Sequence, residues 1–253
     1  MKKNRNRILL ALLLSISVLG LTACSSTETV DPAPQEESAS PEESSEKKAE
    51  SKANESIASQ FSEVWAKKWA QIEEDGVVSN LEGRAFTADL NNDQNEELIF
   101  LYDDDVNYQG IVYRLGDTIE EMGGFTISNT GPEFSFALYE NPQRNILYHK
   151  AERTHAVEET GTEIEESFIR LEDGTLIQES LYSTNYGGTV TYYDSMAAGA
   201  NELNQEDYEL IRIGMLGSTT PARTISFQSG DSFDCTDSDQ VTLKVEQLLN
   251  QKN

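Results

Sequence analysis

Apolar and polar positions along this chain follow two periods, and the change from one to the other divides it. Ile57, Phe61, Val64, Trp65, Trp69 and Ile72 recur at spacings of three and four, while Glu63, Lys67, Lys68 and Glu73 fall between them. That is the pattern of a helix with one buried stripe, and Gly76 supplies its stop. Both tryptophans of the protein lie on the stripe, which suits a face docked against a sheet. From about residue 84 to residue 193 the period shortens to two and turn residues intervene. The alternation predicts strands over 84–88, 97–102, 110–115, 134–139, 146–151, 167–171, 176–182 and 189–193. Asp173-Gly174, between Leu171 and Thr175, is a two-residue hairpin signal.

Two more helices follow the strands. Asn204, with Glu206 and Asp207 behind it, reads as an N-cap and acidic first turn ahead of Tyr208, Ile211 and Met215. Asp237 precedes a stripe of Val241, Val245, Leu248 and Leu249. The predicted class is α+β. An antiparallel β meander, either a twisted open sheet or two packed sheets, carries an N-terminal amphipathic helix on one face and helices at its C-terminal end.

The first 54 residues follow neither period. Lys2, Lys3, Arg5 and Arg7 form a basic start, residues 8–21 are mostly apolar, and Leu21-Thr22-Ala23-Cys24 closes the segment. An apolar stretch of 16 positions interrupted by Ser15, Ser17, Gly20 and Thr22 is short of the roughly 20 residues a membrane-spanning helix needs and suits a cleaved export signal. The Leu-Thr-Ala-Cys run resembles the lipobox of bacterial lipoprotein signal peptides. That resemblance implies that residues 1–23 are removed and that the Cys24 thiol is diacylated, the new amino terminus also taking acyl chains such as palmitate. Two or more chains give stable anchoring. The implied location is the extracytoplasmic face of the cell membrane. Residues 24–54 are rich in Ser, Glu, Ala, Pro and Lys and contain no aromatic residue. They predict a disordered tether with a reach of about 30 Å, or about 100 Å when taut, ahead of a single β-rich domain over 55–253.

Charge narrows the partners. The formal charge is −26, and residues 1–23 hold four basic and no acidic side chains, so the remainder carries −30. Nucleic acid is excluded, because it requires a concentrated basic surface. Anionic headgroups would also repel this chain, so its hold on a membrane would rest on the lipid. Once Cys24 is acylated, Cys235 has no cysteine partner in the chain and reads as a small buried apolar residue.

Residues 89–97, Asp-Leu-Asn-Asn-Asp-Gln-Asn-Glu-Glu, place oxygen ligands at metal-binding spacing. Asp89, Asn91, Asp93 and Glu97 occupy positions one, three, five and nine, and Asn95 stands where a backbone carbonyl joins. Calcium takes six to eight oxygens at about 2.3–2.6 Å. The run is similar to the Asp-x-Asp-x-Asp-Gly-x-x-Asp/Glu calcium loops of integrin-type and related bacterial extracellular β repeats, which implies a structural calcium ion between two strands. It departs from them at Gln94, where the family has Gly, and at Asn91, where the family has a carboxylate. The same residues also suit a turn whose side chains cap its own backbone. An EF-hand fits less well, because Phe100 occupies position twelve and no helices flank the loop.

Other candidates carry less chemistry. Asp103-Asp104-Asp105 reads as a solvated turn. Asp231, Asp234, Asp237 and Asp239 could hold a second cation, though helix capping uses some of them, and Glu163, Glu165 and Glu166 read as an exposed strand face. His149 and His155 show no catalytic spacing, and no nucleophile elbow, zinc-protease helix or phosphate-binding loop occurs. The whole organisation resembles small cell-surface lipoproteins of clostridia and other Gram-positive-type bacteria. The first reading is a non-catalytic, calcium-stabilised module that binds a wall polymer, a glycan or a protein, and composition alone suggests the aromatic stretch 182–193, with a mobile loop over 185–188, as its contact surface. The alternatives are a wall or glycan hydrolase using a carboxylate pair, drawn from Glu133, Glu152 and Glu179, and a transporter's solute-binding protein, which would need two α/β lobes.

Overall fold

A computed structural model describes residues 41–76, 80–104, 106–140, 144–155 and 161–251, with residues 41–49 described by their backbone. The expected export signal, Cys24 and the first part of the expected tether lie outside the described residues. In chain order the elements are α1 (Pro41–Glu74), β1 (Glu82–Ala88), β2 (Glu97–Asp103), β3 (Asn107–Arg114), β4 (Glu120–Ser128), β5 (Phe134–Tyr139), β6 (Ile146–His155), β7 (Gly161–Glu172), β8 (Thr175–Tyr186), β9 (Thr189–Tyr193), β10 (Glu202–Leu203), α2 (Gln205–Leu216), β11 (Arg223–Phe227), β12 (Phe233–Asp234) and α3 (Ser238–Asn250).

The strands form two antiparallel sheets, of order β12-β1-β2-β3-β4 and β10-β9-β8-β7-β6-β5-β11. The chain is a β-rich α+β protein built in four layers. Leu98 and Phe100 of β2 pack with Phe61, Trp65 and Trp69 of α1 and Val241 and Val245 of α3. The residues between them, Ile99 and Leu101, join Phe86, Phe125 and Ile127 against Phe134, Phe136, Leu147 and Ile169 of the second sheet. On the far side of that sheet, Ile146, Tyr148, Phe168 and Leu181 meet Tyr208 and Leu216 of α2. The unbroken run Leu98–Leu101 therefore reflects a strand buried on both faces.

The aromatic stripe of α1 docks as its spacing predicts. The Trp65 ring lies 3.9 Å from that of Phe100, and its Nε1 donates to the Cys235 carbonyl at 2.6 Å. Cys235 is buried and its thiol is pushed up to about 12, chiefly by burial. The helix begins at Pro41, so residues 41–54, expected as part of the disordered tether, are helical instead. Proline fits a first helical turn, and extending a docked helix requires no new nucleus.

All eight expected strands are present, most of them longer than the alternation alone suggested. Asp173 (φ 50°) and Gly174 (φ 76°) form the β7–β8 turn, as the dipeptide predicts. Four strands were not anticipated. In β4, Gly123 and Gly124 interrupt the pattern. Here they accompany a register shift opposite Val112 and Tyr113, and neighbouring Gly110 makes room for the Phe125 ring, which a Cβ there would approach to 2.2 Å. Strands β10, β11 and β12 are two to five residues long. β11 pairs with β5 and β12 with β1, across sequence separations that no local pattern encodes.

Replacing Phe100 with Ala removes the ring that Trp65, Phe61 and Phe233 pack against. Denaturant unfolding of Phe100→Ala is expected to show a loss of about 3–5 kcal/mol.

Candidate functional site

The loop 89–96 joins β1 to β2 and is pinned from beneath. Leu90 is buried in the inter-sheet core, its carbonyl accepts the Leu171 amide at 3.4 Å, and Asn145 Nδ2 donates to the Asp89 carbonyl at 2.8 Å. Within the loop, Asp89 accepts the backbone amides of Asn92 at 2.7 Å, Asp93 at 3.3 Å and Gln94 at 3.0 Å. Asp93 accepts the Asn95 amide at 2.7 Å, and Glu97 accepts the Leu90 amide at 2.9 Å. Asn91 Nδ2 donates to both Asp93, at 2.9 Å, and Glu97, at 3.2 Å. Asn92 (φ 62°) and Gln94 (φ 72°) are left-handed. Gln94 thus adopts the conformation that glycine provides in the calcium loops, at a cost of about 1–2 kcal/mol.

Of the expected ligands, Asp89, Asn91, Asp93 and Glu97 are joined in one network, and Asn95 enters it through its backbone amide. In this geometry they act as the self-capping turn. Among the described residues, no three carboxylate, histidine or cysteine groups are gathered closely enough to hold an ion as they stand. The electrostatics are nonetheless unbalanced. Glu97 is 1% exposed, and burial, reinforced by the charges of Asp93 and Asp89, raises its pKa against the pull of the Leu90 amide. At Asp93, burial also opposes ionisation, but the Asn95 amide and the Asn91 and Asn95 side chains outweigh it and lower the pKa.

A second concave region lies on the outer face of the larger sheet, about 560 Å³ in volume, between β6–β9 and α2. At its edge Glu166, 3% exposed, accepts from Tyr208 Oη at 2.6 Å and Arg212 Nε at 2.6 Å, and also from Tyr148 Oη. Glu166 is therefore not on an exposed face, as its run of glutamates suggested. Glu163 and Glu165 point to the opposite side of β7, where Tyr186 donates to Glu163 at 2.6 Å and Ser128 donates to Glu165. Strand alternation with Glu at 163, 165 and 166 was the signal that one of the three must face the other way.

Compared with family models, with curated proteins and with solved structures, the chain matches none. Among the described residues, no helix is long and apolar enough to cross a membrane.

The remaining candidates sort by geometry. Glu152 borders the outer concavity, Glu179 is paired with Arg170, and Glu133 is exposed just ahead of β5, so these three share no cleft. Among the described residues a helix lies between two strands only once, where α2 links β10 and β11 at opposite edges of one sheet, so no strand-helix alternation recurs. Asp103 is buried and accepts from Asn80 and Asn129, not a solvated turn residue. Asp231 accepts the Gln228 amide, Asp234 the Thr236 amide, and Asp237 caps α3, so the three serve separate turns. Tyr182 and Tyr193 pair at 6.0 Å, and residues 185–188 form a tight turn in which Tyr186 pairs with Thr189, not a mobile loop. Sequence reading missed Arg84. It is 1% exposed and stacks over Tyr108 and Phe134 at 5.2 and 5.5 Å, while its Nε and Nη1 have no hydrogen-bond partner.

His149 is buried, with Nδ1 2.9 Å from the Ser135 carbonyl and Nε2 unpartnered. Burial lowers its pKa from 6.5, against the Ser135 hydrogen bond. A depressed histidine takes up its proton more readily in the unfolded chain, so its contribution to stability is lost as pH falls through about 6.5. In unfolding titrations from pH 7.5 to 5.5, His149→Leu is expected to lose less stability on acidification than the wild type. Parallel slopes would remove the histidine from the account.

Proposed function

We propose that the chain is a surface lipoprotein, acylated at Cys24 and held on the extracytoplasmic face of the cell membrane, whose domain is a calcium-stabilised binding module. The observation that supports the calcium part most directly is the position of the Asn91 amide. Its nitrogen donates to Asp93 and to the buried Glu97 together, the place where a cation would join the same two carboxylates. Asp89, Asn91, Asp93 and Glu97 would supply side-chain oxygens and Asn95 its carbonyl, and a divalent ion would offset the burial, and the smaller repulsion from Asp93 and Asp89, that raise the Glu97 pKa. Left-handed Gln94 fits the same loop pattern. The loop joins β1 to β2 and is tied to the second sheet through Leu90 and, just ahead of β6, through Asn145, so a bound ion would stabilise the domain.

The address rests on the Leu-Thr-Ala-Cys run and the export signal before it. The helix α1 begins at Pro41, within the segment that the sequence suggests as a tether.

Thermal unfolding of the chain from residue 25 onward, in calcium and in chelator, tests the ion. Saturating calcium at about a hundred times its Kd should stabilise the wild type by about 2.7 kcal/mol. Asp93→Ala should show no calcium response, and Asn91→Asp a larger one. Equal midpoints with and without calcium in the wild type would refute the site. For the anchor, acyl labelling of the full chain should be lost in Cys24→Ser.

A further inference from the structure

The strands β6 to β9 continue past α2, and their outer face changes character where the helix ends. Beneath α2 the face is apolar, with Tyr148, Phe168 and Leu181. Beyond it, paired rows run across the sheet: Glu152, Ile164, Ser183 and Tyr192 in one, and Thr162, Asn185 and Val190 in the next. These rows and one side of α2 line the concavity of about 560 Å³. We infer that this shelf is a binding site for a neutral saccharide.

Charge excludes the ionic alternatives. The lining holds two cations, Lys150 and Arg212, and three carboxylates, Glu152, Glu166 and Glu209, and these face one another. Lys150 lies 3.6 Å from Glu152, and Arg212 lies 2.6 Å from Glu166 and 4.0 Å from Glu209. In a chain of net charge −26, such a nearly balanced patch offers little to a polyanion or a polycation. An added peptide strand finds little open edge on the shelf floor, because β7 and β8 are paired on both sides and β9 leaves only the three residues 189–191 unpaired by β10.

What remains suits a polyhydroxylated ligand. Thr162 and Asn185 offer a hydroxyl and an amide at paired positions on neighbouring strands, beside the buried Ser183. Tyr192, half-buried with its ring 4.8 Å from that of Tyr208, supplies a flat apolar platform for a sugar face, and Val190 is 46% exposed beside it. Glu166, held by three donors, makes the edge rigid, so binding needs little reordering.

The inference rests on reading the chain as a surface binding module, yet the shelf lies apart from the calcium loop. Residue 164 is seven positions along β7 from Leu171, which bonds the loop, or about 23 Å. Calorimetric titration of the chain from residue 25 with the linear tetrasaccharides of β-1,4-N-acetylglucosamine, β-1,4-glucose and α-1,4-glucose tests the shelf. At least one should bind, with the same affinity in calcium and in chelator at a temperature where both forms are folded. Asn185→Ala, an exposed substitution, should weaken binding at least tenfold without moving the unfolding midpoint. Tyr192→Ala should weaken it further, with its fold checked by circular dichroism. No binding of any of the three at millimolar concentration, or affinities unchanged in both variants, would overturn the saccharide site. Binding that disappears with chelator while the chain stays folded would place the sugar at the calcium loop and equally overturn it. A failed calcium response in thermal unfolding leaves these titrations unaffected.

Discussion

Burial of both faces of the sheet β1–β4 is the constraint on which the rest depends. A strand such as β2, apolar at every position from Leu98 to Leu101, cannot leave either face to water without losing about 25 cal/mol for each Å² of apolar surface exposed. One face takes α1 and α3, and the other takes the second sheet. That second sheet then has an outer face of its own, whose apolar part requires α2. The four layers follow from one doubly buried strand and its neighbours.

The same packing decides where polar chemistry can occur. Leu90 is held in the inter-sheet core, so the loop around it has little freedom, and its carboxylates stay close even though they repel one another. Glu97 is driven into this position because it begins a buried strand, and its raised pKa is the electrostatic consequence. At the other end of the molecule, strands longer than α2 leave a stretch of sheet that no layer covers. There the side chains turn polar, and charges are paired locally through Glu166 and Arg212.

Most regular elements were legible because each announces itself within a few residues. The Trp65 and Trp69 stripe has a period of 3.6, Asp173-Gly174 has the chirality of a tight hairpin, and Asn204 and Asp237 cap helices with their own side chains. The loop 89–97 was legible as an oxygen-rich turn for the same reason. The missed strands fail this test. β4 is broken by glycines that accompany a register shift, and β11 and β12 are short segments given strand geometry only by distant partners. The continuation of α1 to Pro41 was missed because Glu, Lys, Ala and Ser serve a tether as well as a helix, and an adjacent docked turn decides between them.

What the sequence determined by itself was local: periodicity, caps, turns, the spacing of oxygen ligands and the acidity of the chain. The tertiary structure alone decided which face of each strand is buried and how far each layer reaches. It therefore also decided that Glu166 is an enclosed, neutralised carboxylate while Glu163 and Glu165 are not. The physical reason is range. Backbone propensity and capping act over a few residues, whereas burial and charge pairing depend on which surfaces meet after the chain has folded, and Tyr148, Glu166, Tyr208 and Arg212 meet across as many as 64 positions of sequence.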